Sequence, residues 1–373
     1  MTDIAGTVPV IAVDKVQAIA LAVCTYYFGV WLKGKVGVLS RYSIPSPVVG
    51  GMSFAIVVSF LEYFNIVKVQ IDSTLQTVLM LGFFTTIGLM ASLRVVKDGG
   101  RLLLGFLLAV TVLVFLQNGM GMAIAEAMGF DKHYGILAGS VSMMGGLGTA
   151  AAFGPYFEET YGITGGTAVA VTAATFGMVA ALLIGGPFGE WCIRRYQVKT
   201  PDEVQQPEPE LHLPDDMDTD ITEQHASAKP NFTNEIMRAV SVTALAMGLG
   251  TIVSNYLGHY ITLPAYIGAM IVATVIRNVG DFSGMYKVEG KGLNAVADIT
   301  LVLFVTMAIN NLKLHELVHL ALPLVVILAC QTILMLIYAW TVLFTAFGRS
   351  YDAVMLSVGG IGFSMGATAN GLA

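Results

Sequence analysis

Apolar windows recur along this chain at 13–32, 47–64, 75–93, 102–124, 166–191, 237–257, 263–276, 296–312 and 317–346. All but the short 263–276 are long enough to cross a bilayer core as a helix, so the pattern predicts nine spans of an all-α integral membrane protein. Two stretches interrupt the pattern from within. Residues 139–152 (GSVSMMGGLGTAAA) and 357–369 (SVGGIGFSMGATA) are rich in glycine, serine and threonine, lie in very apolar surroundings, and each follow a tyrosine, Tyr134 and Tyr351. Irregular backbone at membrane depth is tolerated only where protein or a water-filled cavity satisfies its amides and carbonyls. A matched pair of such stretches is expected to form two re-entrant hairpins around a binding site between two repeats, the plan of a transporter.

Composition agrees: 55% of the 373 residues are hydrophobic, 12% are charged, and the mean hydropathy is +0.74, too apolar for one soluble core. The distribution of Lys and Arg sets the expected orientation. If the first span starts outside, every Lys and Arg except Lys15, Lys68, Lys132 and Lys313 falls on inner loops. The N-terminus is then periplasmic and the central loop cytoplasmic. Asp3 and Asp14 precede Lys15 without a basic leader, so the N-terminus reads as an uncleaved lead into the first span. Between Thr200 and Pro230 nine acidic side chains face Lys229 alone, with five of the twelve prolines. Such a segment cannot repay its ordering entropy and reads as a linker. Cys24, Cys192 and Cys330 lack metal spacing and read as small buried hydrophobes.

The chain accordingly divides into an N-terminal membrane half (1–199), an acidic cytoplasmic linker (200–235) and a C-terminal membrane half (236–373). The halves share a weak repeat: Pro47 and Gly51 with Pro264 and Gly268, Phe84 and Thr86 with Phe304 and Thr306, Gln117 with Gln331, and Tyr134 with Tyr351. The separations are 217, 220, 214 and 217 residues. About five spans per half is an odd number, so the second copy would enter the membrane inverted relative to the first. The first half continues past its hairpin to a fifth span, whereas the second stops inside its Gly-rich stretch. The last helix of the second repeat is therefore expected to be absent from the chain as given.

The motifs IPSPVVGG (44–51), FFTTIGL (83–89), DGGR (98–101), QNGMG (117–121), LAGSVSMMGGLGTAAA (137–152), ATFGMVAALLIGGP (174–187), ALPLVVILACQTILMLIYA (321–339) and YDAVMLSVGGIGFSMGAT (351–368) together resemble the bacterial glutamate:sodium symporter family. The resemblance implies an inverted-repeat secondary transporter that carries glutamate with sodium, works as a homodimer among inner-membrane lipids, and needs no cofactor beyond the coupling ion. Where that family commonly has GGHGTG, this chain reads Gly145-Gly146-Leu147-Gly148-Thr149-Ala150, so a histidine contribution is absent.

With no Lys or Arg well inside any span, the glutamate carboxylates of that reading must be held by hairpin amides and hydroxyls unless Arg277 or Arg349 reaches in. The expected substrate site is Ser140, Ser142, Gly145, Gly146, Gly148 and Thr149 from the first hairpin with Ser364, Gly366, Thr368 and Asn370 from the second. The competing reading is that these small residues only allow close helix packing. Asp298 with Thr300 is the expected sodium site, against the reading of Asp298 as a helix N-cap. Gln117 and Gln331 are expected to bond helix to helix, Asn310-Asn311 to cap a span, His259, His315 and His319 to be interfacial, and Trp31, Trp191 and Trp340 to sit toward span ends.

A hydroxycarboxylate symporter shares the paired-hairpin plan but should want an Arg near the second hairpin, and 364–373 has none. An intramembrane enzyme needs two membrane carboxylates, a Ser/His pair or a His/Glu pair, and only Asp298 and interfacial histidines are available. A channel fits opposed hairpins less well than alternating access. Nothing in the sequence points to nucleic acid.

Overall fold

A computed structural model describes residues 8–41, 44–98, 100–198, 232–257, 265–284, 290–313 and 319–366. Each expected span coincides with a helix: α1 (Lys15–Lys35), α3 (Ser46–Tyr63), α4 (Thr74–Met90), α6 (Gly100–Ala127), α9 (Gly166–Tyr196), α10 (Phe232–Leu257), α11 (Ala265–Ser283), α12 (Lys291–Asn310) and α13 (Ala321–Tyr338), which runs on as a wide π-type turn through Ala346. Short helices α2 (Gly37–Arg41), α5 (Leu93–Asp98) and α7 (Lys132–Ile136) intervene, and α8 (Gly146–Tyr161) and α14 (Tyr351–Ser364) carry the Gly-rich stretches. Seven of the helices are long and apolar enough to cross a membrane, α1, α3, α6, α9, α10, α12 and α13 with its extension. Their outward faces carry Phe115, Ile252, Leu322 and Val325, each well over half exposed. Apolar surface on that scale has lipid, not water, as its natural solvent. This is a multi-pass helical membrane protein.

One element was not foreseen. Val10–Val13 (β1) pairs in parallel with Lys68–Ile71 (β2), Val10 opposite Lys68 and Val13 opposite Ile71. The lead into the first span is thereby tied to the start of α4, and the ladder is closed by Lys68 N–H donating to the Pro9 carbonyl and Asp72 N–H to Val13. Asp14 then caps α1, accepting from Val16 and Gln17 while the Gln17 amide oxygen accepts the Asp14 N–H. Four residues per strand is too short a pattern to be distinguished from an apolar lead.

The helices sort into two bundles. In the first, α1 packs on α3, α4 on α11 and α12, and α10 on α11 and α12. The second gathers α6, α7, α8, α9, α13 and α14. Each bundle thus takes helices from both sides of the central stretch 199–231, which lies outside the described residues. Small residues set the crossings. A Cβ on Gly50 would fall 1.8 Å from the Thr25 carbonyl, and one on Gly29 2.2 Å from that of Ser46, so α1 and α3 touch backbone to backbone. Gly88 meets Met270 and Ala273 of α11 in the same way, and Gly121 meets Gly135 where α7 folds back on α6. The bundles meet where α12 lies against α8 and α9 and where Phe83 of α4, its ring 5.5 Å from that of Phe304 on α12, packs on Gly148 of α8.

Of the cysteines, Cys192 is buried as expected, while Cys330 is intermediate and Cys24 lies on the exposed side of α1. A lipid-facing position asks only for an apolar side chain, so composition alone could not tell the two apart. If the α1–α3 crossing depends on bare glycine backbone, Gly50→Ala should lower stability by about 1–3 kcal/mol. Gly34→Ala, on the same pair of helices but in open space, should cost nothing. Thermal unfolding of both variants in detergent checks this, and equal melting temperatures would contradict it.

Candidate binding site at two helix breaks

The first Gly-rich stretch begins in order. Asp131 caps α7 by accepting the His133 N–H at 2.8 Å, and that bond holds its carboxyl below the usual carboxylate range. The helix then widens into a π-type turn over Leu137–Val141 and leaves helical geometry at Gly139 (φ −91°, ψ −132°). It resumes as α8 only after Gly146, whose φ of +73° lies in the left-handed region that glycine enters without steric cost. The second stretch is α14, which ends at Ser364 and turns through Gly366 at φ +84°. The chain beyond Gly366, with the expected site residues Thr368 and Asn370, lies outside the described residues.

These two turns, 220 positions apart in sequence, meet. A Cβ on Gly146 would lie 3.5 Å from the Gly366 carbonyl oxygen and 3.8 Å from its Cα. One on Gly366 would lie 3.5 Å from the Ser142 carbonyl and 3.4 Å from Ala174 of α9. A pair of adjacent residues in the middle of α6 holds both. The Asn118 side-chain oxygen accepts the Ser140 N–H at 3.0 Å, and the Gln117 amide donates to the Ser364 carbonyl at 3.2 Å. Gln331 of α13 in turn donates to the Gln117 carbonyl at 2.8 Å. The helix-to-helix role expected of the two glutamines is what they perform. The grip of Asn118 on the first break was missed, although QNGMG is among the motifs that carry the resemblance.

The expected substrate residues divide by what their atoms already do. Ser140 is half-buried and Gly145 exposed, so the first break has an open edge. Gly145 caps α8 without any side-chain hydrogen bond, and the first amides of that helix, on Gly146, Leu147 and Gly148, have no side-chain acceptor among the described residues. The Ser142 hydroxyl is fully buried and donates to the Leu137 carbonyl at 2.5 Å, while Thr149 donates to Val141 at 2.6 Å with Gly146 O at 3.0 Å. Both hydroxyls brace the break. Gly148 packs against Phe83, where a Cβ would come within 2.8 Å of the ring, so its smallness serves the contact between bundles. Ser364 is fully buried.

Asp298 and Thr300 lie on α12 of the first bundle. Asp298 is exposed in the interior of α12, whose N-cap is Gly290. The Thr300 hydroxyl bonds back to the Val296 and Ala297 carbonyls at 2.7 and 3.0 Å, and its methyl faces Gly82 of α4. Neither expected arginine comes to the breaks. Arg277 is buried on Asp281 at 3.0 Å, which also accepts from Ser92 at the α4–α5 turn. Arg349 stacks 5.4 Å over Tyr196, at the far end of the 14-residue α14, about 20 Å from Gly366 at 1.5 Å per residue. Asn310 reaches the Thr25 hydroxyl at 3.1 Å, and Asn311 is the residue that closes α12. His259 and His315 lie outside the described residues.

A family model described as sodium/glutamate symporter matches residues 11–373. The chain belongs to the sodium/glutamate symporter family. The sodium/glutamate symporter of Escherichia coli (strain K12) is 35% identical over 365 residues, covering 96% of this chain and 88% of that protein. That of Haemophilus influenzae is 32% identical over 363 residues, covering 96% and 87%. These family relatives are named as transporters, not enzymes.

Because the Thr149 hydroxyl is committed to backbone carbonyls of the break, Thr149→Val should lower stability by about 1 kcal/mol, the net worth of one hydrogen bond. Thermal unfolding in detergent without substrate measures this. A variant as stable as the wild type would show that the bond does not hold the break.

Proposed function

We propose that this chain is a sodium-coupled symporter that imports glutamate by alternating access through a site formed where the two Gly-rich breaks meet. The observation that carries the site is the contact of Gly146 with Gly366 inside a chain whose family is established. The two sides of that contact are chemically complementary. The uncapped amides at the N-terminus of α8 carry partial positive charge and suit carboxylates, while the end of α14 and the Gly366 carbonyl present partial negative charge and suit an ammonium or a metal cation. Glutamate with sodium requires both kinds of pole. Thr368 and Asn370 follow Gly366 directly and complete the site from the second stretch.

The larger plan follows. The two stretches are re-entrant hairpins of two inverted repeats, the halves before and after the acidic linker, entering from opposite faces so that the tips meet near the midplane. The N-terminus is periplasmic and the linker cytoplasmic in the bacterial inner membrane, as the Lys and Arg distribution indicates. Two copies form a homodimer. Supporting the choice of an amino acid over a multiply charged hydroxycarboxylate, Arg277 and Arg349 are engaged elsewhere, leaving no guanidinium at the breaks. Sodium is needed on energetic grounds: moving one net negative charge inward against 100 mV costs about 2.3 kcal/mol, which one accompanying cation cancels.

The test is uptake of labelled glutamate into proteoliposomes. Uptake should require an inward sodium gradient and vanish when choline replaces sodium. Gly146→Val, which forces a branched side chain into left-handed backbone at the contact with Gly366, should abolish uptake while the protein still inserts and purifies as a folded species. Sodium-independent uptake would overturn the coupling, and wild-type uptake by Gly146→Val would show that the breaks serve packing alone.

A further inference from the structure

Three oxygens beside the paired turns have nothing to bond. Gln117 Oε1 on α6, Gln331 Oε1 on α13 and Ser364 Oγ at the end of α14 belong to side chains 1%, 1% and 0% exposed, and none has a hydrogen-bond partner among the described residues. They are successive links of one chain of contacts, from Gln331 Nε2 to the Gln117 carbonyl and from Gln117 Nε2 to the Ser364 carbonyl. A carbonyl only accepts, so both amide nitrogens are fixed in place and neither side chain can flip to hide its oxygen. Buried acceptors left unpaired are costly, and three along one contact chain call for a ligand.

The donor set defines what that ligand is. Two amide oxygens can only accept, and a hydroxyl can also accept, so the occupant is a cation or a hydrogen-bond donor. The backbone nearby adds carbonyls at the break: that of Ser142 faces Gly366, and that of Met365 lies 2.6 Å from where a Gly177 Cβ would be. Hard neutral oxygens with no carboxylate among them suit a singly charged metal ion, since a divalent ion of the calcium type recruits carboxylates. We propose that Gln117 Oε1, Gln331 Oε1 and Ser364 Oγ are ligands of the coupling sodium ion. The proposal rests on the sodium-symport reading above and places the ion beside the second break, not at Asp298 and Thr300. It also supplies a route for coupling. An ion drawing Gln117 and Ser364 together holds the second break against the first, so sodium raises glutamate affinity and, by linkage, glutamate raises that of sodium.

The α-ammonium of the substrate has the same appetite for acceptors, and a trapped water could serve as well; one variant separates the three. Ser364→Ala removes an oxygen that holds no bond among the described residues, so the intact protein in sodium-free choline should melt at the wild-type temperature or above. Sodium chloride is then titrated against the melting temperature without glutamate, at constant ionic strength. The sodium midpoint should rise about fivefold, the worth of one lost ligand contact. Glutamate affinity at saturating sodium should stay near the wild-type value. An unchanged sodium midpoint overturns the proposal: with weakened glutamate binding the oxygens serve the ammonium, and with glutamate unchanged they hold water. A lower melting temperature in choline also overturns it, because Ser364 would then have a structural partner. Failure of the parent reading looks different, since wild-type protein would then show neither a sodium-dependent shift nor sodium-driven uptake.

Discussion

A helix interrupted inside a bilayer exposes amides and carbonyls that lipid cannot solvate, and this chain interrupts one helical run between Gly139 and Gly146 and ends α14 at Ser364, both in apolar sequence. Everything around the breaks answers that constraint. The Ser142 and Thr149 hydroxyls turn back onto carbonyls of the first break, Asn118 takes the Ser140 amide, and Gln117 takes the Ser364 carbonyl. Gly146 and Gly366 bring the two breaks into contact. A pair of adjacent residues on one helix, Gln117 and Asn118 of α6, bonds to both breaks.

The two bundles frame this arrangement. Glycine crossings draw α1 against α3 and α4 against α11 at backbone distance, which makes the first bundle a tight unit without any of the Gly-rich breaks. The second bundle carries both breaks. Between them, α12 and Phe83 press on α8 at Gly148, where even a methyl group would collide with the ring. Residues that look alike in composition thus do different work: Gly146 and Gly366 permit left-handed turns, while Gly148 and Gly50 permit approach.

The nine apolar windows were legible because a span needs a long run of apolar residues and little else, and each window became a helix. The two breaks were legible because glycine and serine are conspicuous in such runs. Individual roles were less so. Ser142, Gly148 and Thr149 share one composition with Gly145 and Gly146, and only the direction of each side chain separates bracing from an open edge. Asp298 drew notice as the acid beside a long apolar run, yet it stands on the exposed side of α12. The role of Asn118 was not legible, because which helix a lone amide will face depends on packing. The β1–β2 ladder was hidden for a similar reason, as its partner strand lies more than fifty residues away.

The central claim, that the two breaks form one site, is open to direct test by cross-linking. With Cys24, Cys192 and Cys330 replaced, cysteines are placed at Gly146 and Gly366, and a protease site is inserted between Thr200 and Pro230. A Cβ at position 146 would lie 3.8 Å from the Gly366 Cα, within reach of a cross-link. Mild oxidation in membranes followed by proteolysis should leave the two halves joined on a non-reducing gel and separated on a reducing one. Halves that separate without reductant, with both cysteines still open to maleimide, would contradict the account.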